Sequence, residues 1–312
     1  SSLKLRPGLM GCVVCDAADQ EDSLETEFMR AAVFSARGQR MTNEDAHILM
    51  CDFCTVADNP VGLFAVLDGH GGATVSLQTA KQLPRILRRE LHIAGESNWF
   101  SAEVRAMVLN RAMLELDTHF SHRDFALGCG TTCVLALVWR ERGDAWRTLF
   151  ANVGDSRGLM IRSGQGLVGV TQDHKPDLES ERRRIIDCGG RVDKSKFGPA
   201  RVDGDLSVSR TLGDIRMKQD SRRPFQQQRI SCMPDIYEYG DCRPGDIIVL
   251  ACDGAFDVLS SKAVADVAIK ELSAGSMGCI KGDPAAVVKE VVNRALQSGS
   301  RDNVTCLGAQ IL

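Results

Sequence analysis

The chain has 312 residues, of which 44% are hydrophobic and 25% are charged, and it carries a formal net charge of -3. This is the composition of an ordinary globular protein with one large domain or two small ones, and so weak a charge gives no reason to expect nucleic acid as a partner. No apolar run approaches the roughly 18 residues that a transmembrane helix needs, so we expect no such segment.

The range 1–30 is predicted to be an N-terminal tail ahead of a main domain over 31–312. If Met10 is the native start, the residues that follow it partly resemble an N-myristoylation signal with cysteines nearby for palmitoylation, although Cys15 stands where Ser or Thr is preferred. The interpretation that we favour is an ordinary, unmodified flexible tail. We expect a cytoplasmic protein, with the nucleus or, after acylation, a membrane surface as the other possible locations.

Short apolar runs, rich in Val, Leu, Ile, Thr and Phe and separated by Gly, Asp, Asn and Pro, predict β-strands along the whole chain. They lie at 31–36, 46–53, 62–67, 131–138, 148–153, 158–161, 246–251 and 304–311. Runs of this kind favour an antiparallel or mixed sheet.

Helical periodicity lies between these runs, at about 74–92, 101–122, 178–188, 261–272 and 284–297. Ser101 is a predicted N-cap, and Asp283 followed by Pro284 is typical of a helix start. Because the helices come in early and late pairs rather than alternating with single strands, the pattern indicates an α+β fold.

The chain has twelve cysteines, and most of them lie inside apolar runs, where a thiol packs as a small hydrophobic group. We therefore expect a reduced, intracellular protein. Cys12 with Cys15 and Cys51 with Cys54 form two CxxC pairs, but the pairs lie further apart than the roughly 15 to 20 residues usual in zinc sites. A zinc site is accordingly disfavoured.

Acidic residues recur just beyond the ends of predicted strands. A single one would usually be a turn residue, but here the same context repeats, at Asp68, Asp155, Asp253, Asp257 and Asp302, while Glu44 and Asp45 open another strand. If the strands share a sheet, the acids meet at one rim, where they would repel one another unless cations neutralised them. Oxygen ligands favour Mg²⁺ or Mn²⁺, so the pattern predicts a site for such ions.

The most informative short stretch is LDGHGG, which contains Asp68 and His70. The carboxylate can hold a metal, the glycines let the main chain approach an ion closely, and the histidine can move a proton. Arg40, four residues before Glu44, has the planar guanidinium group that binds phosphate through two hydrogen bonds.

A series of motifs then identifies a family resemblance. In order and in spacing, the chain resembles the metal-dependent serine/threonine protein phosphatases of the protein phosphatase 2C family, and the match covers roughly 34–312. The motifs are GQRMTNEDAH, LFAVLDGHGG, GCGTTCVLALV, ANVGDSRG, TQDHKP, DLSVSRTLGD, ACDGAFDV and GSRDNVT.

The resemblance implies a four-layer αββα fold, in which a central antiparallel β-sandwich is flanked by helix pairs and has a binuclear metal centre at one end. Asp68 would bridge two ions, with Gly69 giving a backbone carbonyl, and Asp253 and Asp302 would be direct ligands. Glu44 and Asp45 would hold water molecules that are bound to the ions. Asp155 and Asp257, together with Asp253, would form a weaker site for a third ion. Arg40 would bind the phosphate group, and His70 would be the general acid.

The same resemblance implies two Mn²⁺ or Mg²⁺ ions per site, and 31–312 as the phosphatase catalytic domain with a flap at about 186–210. A metal-activated water would attack phosphoserine or phosphothreonine in protein substrates, and His70 would protonate the leaving oxygen. We expect the protein to be a monomer.

Two other functions stay open from the residues alone. A pseudophosphatase scaffold would normally have lost some of the acids, whereas Asp68, Asp253 and Asp302 are all present. A phosphoesterase for small molecules would generally use several histidine ligands, but only one of the six histidines lies in a ligand-like motif. The sequence therefore favours the protein phosphatase over both.

Overall fold

The computed structural model describes residues 19–56, 58–95, 98–99, 101–141, 145–196, 198–273 and 282–312. The strands are β1 (Asp19–Glu25), β2 (Met29–Ala36), β3 (Ala46–Val56), β4 (Asn59–Leu67), β5 (Gly69–His70), β6 (Gly130–Thr131), β7 (Cys133–Arg140), β8 (Trp146–Val153), β9 (Arg157–Arg162), β10 (Gly166–Val170), β11 (Val192–Lys194), β12 (Ala200–Val202), β13 (Leu212–Gly213), β14 (Asp235–Cys242), β15 (Ile247–Ala251) and β16 (Val304–Ile311). The helices are α1 (Thr74–Ala94), α2 (Ala102–Phe120), α3 (Glu179–Asp187), α4 (Asp253–Phe256), α5 (Ser261–Ser273) and α6 (Pro284–Gln297).

Two antiparallel sheets form the centre of the molecule. One has six strands in the order β1-β2-β16-β15-β9-β10, and the other has five in the order β14-β8-β7-β4-β3. Their facing sides share one apolar core, to which Phe64 and Phe150 contribute from the second sheet and Leu250 and Leu307 from the first. This arrangement is the expected β-sandwich.

A helix pair covers each outer face of the sandwich. Leu83 of α1 and Met113 of α2 pack with the five-stranded sheet in one core, while Val264 of α5 and Val288 of α6 pack with the six-stranded sheet in another. The layers are therefore helices, sheet, sheet and helices, so the predicted α+β, four-layer αββα fold is confirmed.

The central strands have long apolar runs because both of their faces are covered. All of β7 except Arg140 is buried, and β4 is buried from Val61 to Leu67. The predicted helix starts are also observed. The Ser101 hydroxyl accepts a hydrogen bond from the Val104 amide at 3.4 Å, and the Asp283 carboxylate accepts one from the Ala285 amide at 3.0 Å. Both are N-caps of the kind that the sequence predicts.

The structure differs from the predicted tail over 1–30 in one respect. Part of that range is β1, which pairs along its length with β2 and forms an edge of the six-stranded sheet.

Cys12, Cys15 and the proposed acylation sequence lie outside the described residues. Cys51 and Cys54 both lie on β3, and neither forms a disulfide bond within the part of the chain that the structure describes. Among the described helices, none combines the length and apolar character needed to cross a bilayer.

Candidate metal centre

Strand register brings the predicted acids to one end of the sandwich. Ala46 at the start of β3 pairs with Leu67 at the end of β4, so the residues next to them, Asp45 and Asp68, are neighbours. In the other sheet Ala251, the last residue of β15, pairs with Cys306 near the start of β16. This places the acids that follow β15 and precede β16 at the same end. We call the seven predicted acids the acidic rim: Glu44, Asp45, Asp68, Asp155, Asp253, Asp257 and Asp302.

The innermost part of the acidic rim is a tight group of potential ligand atoms. Carboxylate oxygens of Asp45 and Asp68 and the thiol sulfur of Cys252 all lie within 4.8 Å of one another. The Asp68 carboxyl also hydrogen-bonds with that of Asp253. Cys252 was not predicted as part of the site, although it directly precedes Asp253 in the ACDG motif.

Burial and mutual repulsion strongly perturb these carboxyl groups. Burial, followed by the charges of Asp253 and Asp45, raises the pKa of Asp68 well above its usual range. Burial is also the main cause that raises the pKa of Asp45 and that of Asp253, each to about 7. The protein itself therefore supplies too little positive charge to keep these acids ionised.

The surroundings of Asp45 fit a cation. One carboxylate oxygen, Oδ2, accepts a 2.6 Å hydrogen bond from the Thr305 hydroxyl, and Ser35 bonds to that hydroxyl at 2.7 Å. The other oxygen, Oδ1, is buried and has no hydrogen-bond partner. A buried carboxylate oxygen without a partner is costly unless an ion or water fills the gap, so the donor set suits a hard divalent ion.

Glu44 and Gly69 show how tightly the backbone packs beside this group. The Glu44 amide donates to Asn303 Oδ1 at 2.9 Å, and the Glu44 carbonyl accepts from the Ser76 hydroxyl at 2.6 Å. A side chain at position 69 would place its Cβ 2.2 Å from that carbonyl oxygen. Glycine is therefore required there, and the close approach locks the end of β4 against the loop that carries Glu44. The Glu44 carboxylate in turn accepts from the Gly72 amide at 3.1 Å.

A second group of acids has a cation from the chain. Asp155 is buried and forms an ion pair with Lys175 Nζ. Asp257 is exposed; partial burial raises its pKa, Lys175 lowers it, and Asp155 raises it further. Lys175 was not predicted, although it lies in the quoted TQDHKP motif. This side of the acidic rim is thus partly neutralised without metal.

Asp302 and Arg40 lie at the exposed edge of the rim. Arg40 Nη2 donates to Asp302 Oδ2 at 2.6 Å, and both side chains are exposed to solvent, by 59% and 38%. The Asn303 amide holds the other oxygen of Asp302 at 2.7 Å. The charge of Asp302 also contributes to the raised pKa of Asp45 and of Asp257, so Asp302 acts on both groups of acids.

His70 is held by a partner that the sequence analysis did not predict. Its Nε2 lies 2.8 Å from Asp214 Oδ2, and its side chain is 30% exposed. Burial lowers the pKa of His70, but the hydrogen bond and charge of Asp214 outweigh it, and the pKa is raised overall. Asp214 ends the motif DLSVSRTLGD, so its position in that motif was the available signal.

The predicted flap range, 186–210, contains the end of α3 and the hairpin of β11 and β12. Arg201 lies on β12, is exposed, and donates through Nη1 to the carbonyl of Asp205. This contact with the loop that follows β12 gives Arg201 a local structural role, and contact of the hairpin with a substrate stays a prediction.

Comparison with known proteins places these features in a family. A family model described as Protein phosphatase 2C matches residues 29–304. Probable protein phosphatase 2C 58 of Oryza sativa subsp. japonica is 30% identical over 90% of this chain and 82% of its own length. Protein phosphatase 1A of Bos taurus is 32% identical over 89% of this chain and 70% of its own length.

Solved structures support the same architecture. A phosphatase from a pathogenic strain of Toxoplasma gondii aligns with a TM-score of 0.78 and 23% identity, over 94% of this chain and 95% of that one. The serine-threonine phosphatase 2C from Toxoplasma gondii aligns with a TM-score of 0.76 and 19% identity, over 98% of this chain and all of that one. At such identities the structural likeness concerns the fold.

Proposed function

Because the chain belongs to the protein phosphatase 2C family, we propose that it hydrolyses phosphoserine and phosphothreonine in proteins with divalent metal ions bound at the acidic rim. The observation that supports this most directly is the contact of Asp68 with both Asp45 and Asp253. Burial raises all three carboxyl pKa values, and Asp45 Oδ1 lacks a hydrogen-bond partner among the described residues. Such a group is most simply completed by cations from solution.

The ligand roles that we propose are those that the family resemblance implies for these positions. Asp68, the carbonyl of Gly69, Asp253 and Asp302 would hold the two ions directly. Glu44 and Asp45 would hold water on the ions, and Asp155 and Asp257 would contribute a weaker third site next to Asp253. When bound, two Mn²⁺ or Mg²⁺ ions supply an activated water and neutralise charge on the phosphate.

Arg40 is suited to bind the phosphate group itself. Its guanidinium is exposed and reaches the rim through Asp302 Oδ2, so it presents further N–H donors to a ligand at the same edge. Arginine binds phosphate oxygens through two parallel hydrogen bonds, which fixes the orientation of the group as well as its position.

His70 would serve as general acid toward the seryl or threonyl oxygen that leaves. It is partly exposed beside the buried acids, and Asp214 favours its protonated form. A phosphomonoester of an aliphatic alcohol has a strongly basic leaving group, and a positioned imidazolium can supply the proton that it needs.

Phosphopeptide hydrolysis with and without a chelator tests the proposal, together with Asp253→Ala. We expect Mn²⁺-dependent cleavage of a phosphothreonine peptide, with little cleavage of a phosphotyrosine peptide or a cyclic phosphodiester. Chelation and Asp253→Ala should each reduce turnover by at least about 100-fold, because they remove the metal contribution. A matched control is Asp266→Ala, an exposed acid paired with Lys262 on α5. Full activity of Asp253→Ala, or preference for the cyclic diester, would overturn the assignment.

The proposal extends to the rest of the protein. The chain would act as a monomer on phosphorylated proteins in the cytoplasm, and the hairpin within 186–210 would contact those proteins beside the acidic rim. N-terminal acylation would add a membrane location. Intact mass of the protein from its native cell tests the acylation: the flexible tail predicts an unmodified terminus, and an added fatty acyl mass would be needed to support the membrane location.

A further inference from the structure

A small sheet brings His70 next to an acid from a distant part of the chain. The three-stranded sheet has the order β13-β6-β5. Within it Gly130 pairs with His70 on one side and with Gly213 on the other, so the three residues form one row. Asp214 directly follows Gly213, which explains how its carboxylate reaches the imidazole ring.

The backbone around this pair leaves no room for water on one side. A Cβ at position 130 would lie 2.7 Å from His70 Nε2 and 2.1 Å from Asp214 Oδ2, so the Gly130 backbone packs directly against the hydrogen bond. Asp214 itself adopts the left-handed region, with φ 50° and ψ 41°. A non-glycine residue in that conformation is strained, and its surroundings must therefore hold it firmly.

A buried ion pair holds the segment that carries Asp214. Lys218 Nζ donates to both oxygens of Asp117 on α2, at 2.9 and 2.8 Å, and to the carbonyl of Thr211 at 2.8 Å. The same carboxylate accepts from the Gly213 amide at 2.9 Å. Both ionic side chains are fully buried. Asp117 thus anchors this segment at Gly213 and at Lys218, and Lys218 in turn holds the carbonyl of Thr211.

We propose that Asp214 is a positioning residue for His70 and that the Lys218–Asp117 ion pair and the Thr211 hydroxyl hold Asp214 in place for that role. The hydroxyl donates to Asp214 Oδ2 at 2.7 Å, the oxygen that also contacts His70. Because Asp214 occupies Nε2, the ring is fixed and its Nδ1 is the nitrogen that delivers a proton to the leaving oxygen. This inference rests on the proposed phosphatase function and specifies how its general acid is oriented.

Two substrates with different leaving groups separate positioning from general structural support. A phosphothreonine peptide releases a strongly basic alkoxide that needs a proton, whereas p-nitrophenyl phosphate releases a stable phenolate that does not. We expect Asp214→Asn to lower kcat on the peptide by about 10- to 100-fold, within the range of general acid catalysis, while kcat on p-nitrophenyl phosphate changes by about twofold or less.

A second variant tests the positioning of His70 without removing the buried charge of Asp214. Thr211→Val removes only the hydroxyl that orients Asp214, and we expect a smaller loss confined to the peptide, about 3- to 10-fold, as for one hydrogen bond. The control is Asp220→Asn on the same segment, where an acid is bonded to exposed Arg222; both activities should stay unchanged. In combination with His70→Ala, Asp214→Asn should cause no further loss.

The outcomes separate this inference from the function on which it rests. If the wild-type protein with Mn²⁺ does not cleave the phosphothreonine peptide, the proposed function fails. If the wild type is active and Asp214→Asn retains full peptide turnover, only the positioning role is overturned. A parallel loss on both substrates with a lowered melting temperature would also overturn it, because it would show that Asp214 supports the fold alone.

Discussion

The acidic rim and the buried cluster around Glu181 both collect several charged side chains, but their carboxylates are neutralised in opposite ways. Glu181 on α3 contacts Arg184 at 2.7 Å and Arg210 at 2.8 Å, and the Ser209 hydroxyl donates to it at 2.6 Å. Burial alone would raise the pKa of Glu181, but these partners outweigh burial and lower the pKa overall. Asp235, bonded to His174 and Arg210, also has a lowered pKa.

In the acidic rim the removal of carboxyl groups from solvent has the opposite result. Asp45 and Asp253 have pKa values raised to about 7, since no arginine or lysine bonds to either of them among the residues that the structure describes. The comparison teaches that burial of an acid does not by itself reveal its role. Glu181, which the chain pairs with two arginines, is suited to stabilise the fold, whereas the repulsion at Asp45 and Asp253 suits the proposed binding of cations from solution.

The largest stability effect should come from removing the acid that the chain has paired. Glu181→Gln leaves two arginine side chains close together without their shared carboxylate, and we expect the free energy of unfolding to fall by about 3–5 kcal/mol. Urea denaturation with linear extrapolation measures it. A change below about 1 kcal/mol would contradict the structural role of this acid.

The pH dependence of the same variant follows from the lowered pKa of Glu181. The ionised carboxylate contributes its stability above the unfolded-state pKa of about 4.3, and that contribution disappears as the pH falls through the folded-state pKa. The difference in the free energy of unfolding between the wild type and Glu181→Gln should therefore be largest at neutral pH and become smaller in acid. A gap that does not depend on pH would show that charge is not its cause.

The metal-free acidic rim should respond to pH in the opposite direction. Because the pKa values of Asp45 and Asp253 are raised, their protonated forms stabilise the folded state below the unfolded-state pKa of about 3.9, and this stability is lost as the pH rises toward about 7. In chelator at neutral pH, Asp253→Asn should relieve repulsion and raise stability by about 1 kcal/mol, or roughly 2–4 °C in melting temperature.

Saturating Mn²⁺ provides the control for this effect. The ion binds the folded wild type and stabilises it by mass action. When the metal is added, the wild type should therefore become more stable than Asp253→Asn. If Asp253→Asn is less stable than the wild type in chelator as well, the carboxylate is a structural group and the contrast between the two regions fails.

The sequence predicts the fold well where strands are covered on both faces. The runs that became β4 and β7 are largely apolar, β16 is buried along its whole length, and each was predicted close to its observed bounds. The strands β1 and β14 were not predicted. Both are edge strands with mostly polar or half-buried side chains, so the apolar signal that marks a central strand is missing from them.

The acids of the site were predictable, but their partners were not. Six of the seven acids lie within two residues of a predicted strand, Asp257 being the exception, and this local signal requires no knowledge of the fold. Asp214 and Lys175 lie in motifs that were recognised, yet their roles depend on His70 and Asp155, 144 and 20 residues away. Only the register of the small sheet and the packing of the loops bring such pairs together.

The smallest effect on the free energy of unfolding is expected for a substitution of Glu179, two residues before Glu181 on the same helix. Glu179 pairs with Arg183 at 3.2 Å, but both side chains are more than 70% exposed. Solvent screens this pair and the favourable contact of Glu179 with the helix N-terminus, so Glu179→Gln should change the free energy of unfolding by about 0.5 kcal/mol or less. Denaturation in about 1 M NaCl, where the Debye length falls to roughly 3 Å, should remove this difference and leave that of Glu181→Gln. Equal salt sensitivity of the two variants would mean that burial does not distinguish the two acids, although they share one helix and similar arginine partners.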